Sequence, residues 1–164
     1  LKFNPHYKNP PEGDLSVDSV TGTAMLIDRD KLKLIKDWDT NIFNYFEDMD
    51  LCLRFRLKGF EIIKIRNAEV DHDAFASHDE SFSQKMDFSR NWHHSWSRFY
   101  FLKKHTTKLN AYKYGLIFLI KSIFKSIFYL FFKRSKAITH FAKAYGTLFS
   151  ILNLQPTYRP KIKI

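Results

Sequence analysis

Between Glu47 and Gly59 the chain reads Glu-Asp-Met-Asp-Leu-Cys-Leu-Arg-Phe-Arg-Leu-Lys-Gly. Acids open the segment, Leu51, Phe55 and Leu57 are its apolar positions, basic residues close it, and Gly59 stands where a helix ends in a left-handed residue. This pattern predicts a helix. Arg29–Ile35 reads as a shorter one, and Phe60–Ile65 as a short strand. Val17–Asp28 is β-branched and ends in a compact apolar run, which predicts a buried strand around Thr23–Ile27. Asn41–Phe46 is an aromatic loop. Beyond it, Ser81–Lys104 carries Phe82, Met86, Phe88, Trp92, Trp96 and Phe99 at helical intervals, Asn110–Lys133 is a long apolar helix broken by lysines, and Ala137–Leu152 is a weaker one. Residues 1–16, with Pro5, Pro10, Pro11 and Gly13, read as an arm, and 154–164 as a basic tail.

Composition adds an aromatic excess of 17 Phe, 8 Tyr and 3 Trp in 164 residues, enough to cover a large apolar surface and to exclude a chain disordered throughout. The net charge of +10 is divided unevenly. From Phe101 to Ile164 there are 13 Lys and Arg and no acid, so the first 100 residues, with the other 14 basic residues against 17 acidic ones, stand at −3. A single cysteine, Cys52, forms no internal disulfide and no thiolate metal site, so a cytosolic exposure is expected. No apolar leader opens the chain, and its first residue, Leu1, is not Met, which reads as a fragment.

Two polar clusters carry candidate chemistry. Glu47, Asp48 and Asp50 sit at a helix start behind Phe43-Asn44-Tyr45-Phe46. There, backbone N–H groups and the helix dipole favour an ionised carboxylate able to take a proton from a hydroxyl; plain helix capping uses the same residues, and spacing does not separate the two. Asp71-His72-Asp73, with His78 and Asp79 behind it, offers an imidazole among carboxylates, a ligand set for a divalent cation or a solvated turn. His93 and His94, inside an aromatic helix, read as packed or surface residues.

Taken in order, Thr21-Gly22-Thr23-Ala24-Met25-Leu26-Ile27-Asp28-Arg29, Trp38-Asp39, Phe46-Glu47-Asp48-Met49-Asp50-Leu51-Cys52-Leu53-Arg54, Gly59-Phe60 and Ala68-Glu69-Val70-Asp71-His72 resemble the second half of family-2 glycosyltransferases, the group that includes rhamnosyltransferase-like enzymes of bacterial surface polysaccharides. The resemblance spans roughly Val17–His78. It implies an α/β fold: the C-terminal, acceptor-side part of a GT-A-like nucleotide-sugar transferase over 17–80, followed by a helical, membrane-associating extension over 81–153. It further implies Asp48 as general base, Glu47 as its support, Asp50 and Arg90 against substrate, and His72 as a ligand to Mg or Mn. The reaction implied is an inverting displacement from a nucleotide-sugar donor onto a glycan or lipid-linked acceptor. Asp28-Arg29-Asp30 and Asp48-Met49-Asp50 have the letters of the family's donor-binding Asp-x-Asp but not its position. The nucleotide-binding half is therefore expected elsewhere, and the isolated chain is expected to be inactive. The other reading is a non-catalytic membrane-surface or partner-docking module.

Tyr114–Phe132 is 19 residues, roughly 28 Å as a helix and close to the thickness of a bilayer's apolar core. Lys121 and Lys125 straddle its centre, where a charge costs roughly 2.5–3.5 kcal/mol. A helical projection sets Lys121, Ser122, Lys125, Ser126 and Tyr129 on one side and Leu116, Ile120, Ile123, Ile127, Leu130 and Phe131 on the other. Residues 110–136 are thus expected to lie in the plane of an anionic membrane, peripheral at the cytoplasmic face of the inner membrane, or else to pack on another domain. The bases flank runs too apolar for a nucleic-acid groove, so no nucleic-acid partner is expected.

Overall fold

A computed structural model describes residues 12–72 and 83–160. They form two compact units that interleave along the chain: one holds 12–40 and 47–72, the other 41–46 and 83–160. The expected α/β architecture is corrected here. Of the described residues 58% are helical, and the sheet has only two strands.

In the first unit β1 (Leu15–Val17) pairs antiparallel with β2 (Ile62–Lys64), with Ser16 opposite Ile63. Arg66 N–H donates to the Asp14 carboxylate at 3.0 Å just beyond this ladder. The strand expected around Thr23–Ile27 is absent: Met25 and Ile27 turn inward and Leu26 is fully exposed, but no described strand pairs with this stretch. An extended run without a ladder leaves its backbone groups to other partners, and that is why β-branched composition misjudged it. α1 (Arg29–Leu34) is capped by Asp28, whose Oδ1 accepts from the N–H groups of Asp30 at 3.0 Å and Lys31 at 3.2 Å.

α2 (Glu47–Leu57) ends in the manner its sequence announces. Gly59 has φ +84°, Gly59 N–H donates to Arg56 O and Phe60 N–H to Phe55 O, and the rings of Phe55 and Phe60 lie 6.0 Å apart. These two bonds and the ring contact form a Schellman closure. Leu51 and Phe55 on its inner face join Ile35, with Met25, Ile27, Leu32, Phe60 and Ile62 packed around them.

The second unit is a helical bundle of α3 (Ser83–His105), α4 (Lys108–Leu130) and α5 (Arg134–Ile151), in which α5 packs against both of the others. Thr107 caps α4 through its hydroxyl, which accepts from Asn110 N–H. Small residues make the contacts close: a Cβ on Gly146 would run into the Trp92 carbonyl, and one on Gly115 into the Phe99 ring. Trp92 is fully buried, its ring within 6.3 Å of those of Tyr145, Phe149 and Tyr158.

The stretch after α5 has no helix or strand, yet it is pinned to α3. Trp96 Nε1–H donates to Leu154 O at 2.8 Å, and His93 bonds through Nε2 to Tyr158 O at 2.9 Å. Asn41–Phe46 packs on the same helix: Ser97 Oγ–H donates to Asn44 O at 2.8 Å, and Phe43 has the His93 ring at 4.8 Å and the Arg159 guanidinium over its face at 3.5 Å.

Two outcomes follow from this packing. Gly146→Ala should lower the stability of the bundle by about 1–3 kcal/mol despite the better helix propensity of Ala, because the backbone approach at Trp92 has no room for a methyl group; chemical denaturation measures it. Burial of His93 pushes its imidazole below the usual range, with its bond to Tyr158 O acting the other way and the nearby Arg159 charge adding to the depression. The unfolded chain then binds the proton more readily than the folded one, so stability is present above the ordinary imidazole range and is lost as pH falls through it. Urea midpoints should drop between about pH 7 and pH 5, and His93→Gln should flatten part of that slope.

Candidate functional site

The residues quoted from the first carboxylate cluster divide sharply in the structure. Asp50 is completely buried, its Oδ2 accepting from Arg54 Nε–H at 2.8 Å one helical turn later. Arg54 extends further, donating through Nη1 to Ile35 O at 2.5 Å and to Asp37 O at 2.7 Å. Lys36 and Asp37, where α1 ends, both have positive φ, so one guanidinium satisfies the carbonyls flanking a tight reversal and neutralises an interior acid. The expected contact of Asp50 with substrate therefore gives way to a structural bond: its carboxylate is sealed inside α2's packed face.

Asp48 faces the other way. Its Oδ2 accepts the N–H of Gly22 at 3.0 Å, across 26 residues of sequence, and its Oδ1 accepts the adjacent Met49 N–H at 2.7 Å. Asp48 is half-buried and Gly22 is exposed, so this bond lies at the surface of the unit. A carboxylate that merely caps a helix takes N–H groups from its own first turn. Asp48 also takes one from the Thr21-Gly22-Thr23 loop, and two bonds leave acceptor positions open on its oxygens.

Glu47 beside it is half-buried, with Oε2 lacking a hydrogen-bond partner among the described residues. Burial pushes its carboxyl above the usual range, the Asp48 charge pushes the same way, and its own backbone N–H partly offsets them. Cys52, one turn on from Asp48, is buried and free, its thiol likewise raised by burial.

The chain enters α2 through strained backbone. Tyr45 and Phe46 have φ of +66° and +68°, an uncommon conformation for bulky side chains, and both rings lie against His94 at 5.5 and 5.2 Å. Both contacts lie within the helical unit, to which Tyr45 and Phe46 belong.

The remaining expected site residues are not gathered in this way. Arg90 lies on α3 and pairs with Asp87, Nη1 to Oδ1, at 3.0 Å. His72 is exposed, and Asp73, His78 and Asp79 lie outside the described residues. Among the described residues no three His, Cys, Asp or Glu side chains converge as a cation site would require. His72 alone does not make one.

Sequence reasoning missed the Arg54 lock, although the Asp50-to-Arg54 spacing of four on a helix was its visible signal. It had no means of finding the Gly22 bond. Arg54→Met should destabilise the first unit by about 3–5 kcal/mol, since it strands a buried carboxylate. Adding Asp50→Leu should recover only part of that loss, because the Ile35 and Asp37 carbonyls stay unpaired; denaturant titrations of the single and double variants test this.

Set against known proteins, the chain matches no protein family, no curated protein and no solved structure, so the likeness to family-2 glycosyltransferases rests on the residues themselves.

Proposed function

We propose that this chain carries the acceptor side of a glycosyl-transfer site, with Asp48 as the base. The observation that supports it is the Gly22 N–H bond to Asp48 Oδ2. It brings into contact two of the segments on which the resemblance rests, at the one carboxylate of the cluster that pairs with a distant loop while staying at the surface. Asp50, two residues away, is consumed by Arg54 and has no such freedom.

In this reading an acceptor hydroxyl donates a hydrogen bond to Asp48. Its oxygen attacks the anomeric carbon of a nucleotide sugar as the proton passes to the carboxylate, and the bond from that carbon to the diphosphate breaks on the opposite face, inverting the configuration. The Gly22 and Met49 N–H groups fix the carboxylate's rotation, so it need not reorganise when the proton arrives. Glu47, whose carboxyl is pushed above its usual range by burial and by the Asp48 charge, is the supporting neighbour of the base.

The test is Asp48→Asn in the enzyme as its own cells make it. Turnover of nucleotide sugar should fall by about 10²–10⁴-fold with the donor Kd within a few-fold of its original value, since the amide keeps the shape and loses the base. A kcat lowered only a few-fold would leave Asp48 as an anchor for the Gly22 loop and nothing more.

A further inference from the structure

The helical projection of α4 holds, but its two faces are turned inside out relative to a water-soluble bundle. The side that packs against α5 and α3 is largely small or polar: Ala111, Gly115 and Ser122 are buried, Ser126 Oγ–H donates to Ala137 O at 3.0 Å, and Tyr129 stacks on His140 at 5.5 Å, while Tyr112 and Phe118 meet Phe99 and Arg98 of α3. α5 answers in kind, burying Ala137, Ala142, Ala144, Gly146, Thr147 and Ser150. The large apolar side chains point away from the bundle. Phe124 is 69% exposed, Phe128 57%, Phe131 80% and Phe132 72%, and Leu116, Ile117, Ile120, Ile123 and Ile127 continue the same face toward the start of the helix. In water such a surface is unfavourable over its whole length, whereas small residues inside and large apolar ones outside is how helices pack when lipid is the solvent.

Charge identifies the partner. Lys121 and Lys125 are exposed and stand at one edge of the apolar face; Lys133, Arg134 and Lys136 follow the Phe131-Phe132 turn, and no acid occurs anywhere from Phe101 to Ile164. An apolar strip edged by cations with no counter-charge complements anionic headgroups above acyl chains. No described helix is long and apolar enough to cross a membrane. We infer that α4 and the α4–α5 turn form a docking face for an anionic lipid bilayer, lying in its plane with Phe124, Phe128 and Phe131 in the acyl boundary and Tyr129 turned away from it. Of the side that carries Lys121 and Lys125, Ser122, Ser126 and Tyr129 belong to the bundle interface. The inference is independent of the Asp48 reading, since it uses only residues of the helical unit.

The full chain should cosediment with vesicles containing phosphatidylglycerol and much less with phosphatidylcholine alone, and added salt should weaken that binding. Lys121→Gln with Lys125→Gln, both at exposed positions, should weaken it about tenfold or more. Orientation is read by two substitutions one residue apart. Against the background of the native tryptophans, lipids brominated in their acyl chains should quench a new fluorophore in Phe128→Trp and leave one in Tyr129→Trp unquenched. Absence of binding to phosphatidylglycerol vesicles would overturn the inference, as would equal quenching at the two positions. So would a lipid-free dimer that Phe124→Glu with Phe128→Glu dissociates, because the face would then belong to a second copy of the chain. Helicity of each variant by circular dichroism separates loss of binding from loss of fold, and the quenching comparison stands without the charged variants.

Discussion

The close approach of α5 to α3 sets the character of the helical unit. Where Gly146 meets the Trp92 carbonyl, the helices touch backbone to backbone, and every other contact must be compatible with that separation. On α4, Gly115 leaves the room that the Phe99 ring occupies. Helices held this near carry Ala, Gly, Ser and Thr on much of their shared surface, so apart from Tyr112, Phe118 and Tyr129 most of the bulky side chains of α4 point outward. The aromatic excess of the sequence is consequently of two kinds. Trp92, Trp96, Tyr145, Phe149 and Tyr158 consolidate the α3–α5 side, while Phe124, Phe128, Phe131 and Phe132 contribute nothing to internal packing that would account for them.

The smaller unit is organised around a charge instead. Asp50 and Arg54 give its interior an ionic bond from which three attachments radiate: along α2, to the end of α1, and to the turn after it. A buried pair of this kind is weak evidence of net stability, because desolvation offsets much of its attraction. Its contribution is to make one arrangement of α1 and α2 far better than its neighbours. Asp48 benefits indirectly. With Asp50 committed inward, the two-residue offset, a little over half a helical turn, sets Asp48 on another side of α2, toward the Gly22 loop.

Much of this was legible in the sequence, for identifiable reasons. Helices α1 to α5 were signalled by their apolar patterning, α2 also by its end residues with the Gly59 closure in a single letter, because those features depend on residues near one another in the chain. Thr23–Ile27 failed because β composition says nothing about whether a partner strand exists. The α/β expectation failed with it, having borrowed a sheet from the resemblance that the described residues do not contain. Asp48 could be singled out but not separated from a cap until the Gly22 bond was known, and Asp50 looked like its equal until burial distinguished them. On α4 the sequence correctly divided the residues into two faces and could not say which face was inside. That depends on Ala137, Gly146 and the other small residues of α5, whose meaning appears only when the helices are placed together.

The interleaving of the two units has a consequence for any attempt to divide the protein. Asn41–Phe46 belongs to the helical unit although more than thirty residues of the other unit's sequence and connecting chain stand between it and Ser83. Cutting the chain ahead of α3 would release the bundle without Phe43, which packs on both His93 and Arg159, and without the Asn44 carbonyl that receives Ser97. It would also free Tyr45 and Phe46 from the rings that hold their left-handed backbone. The helical unit is therefore not a linear module: a piece of its packing is encoded ahead of α2, so truncation or grafting at a boundary just before α3 would leave it incomplete.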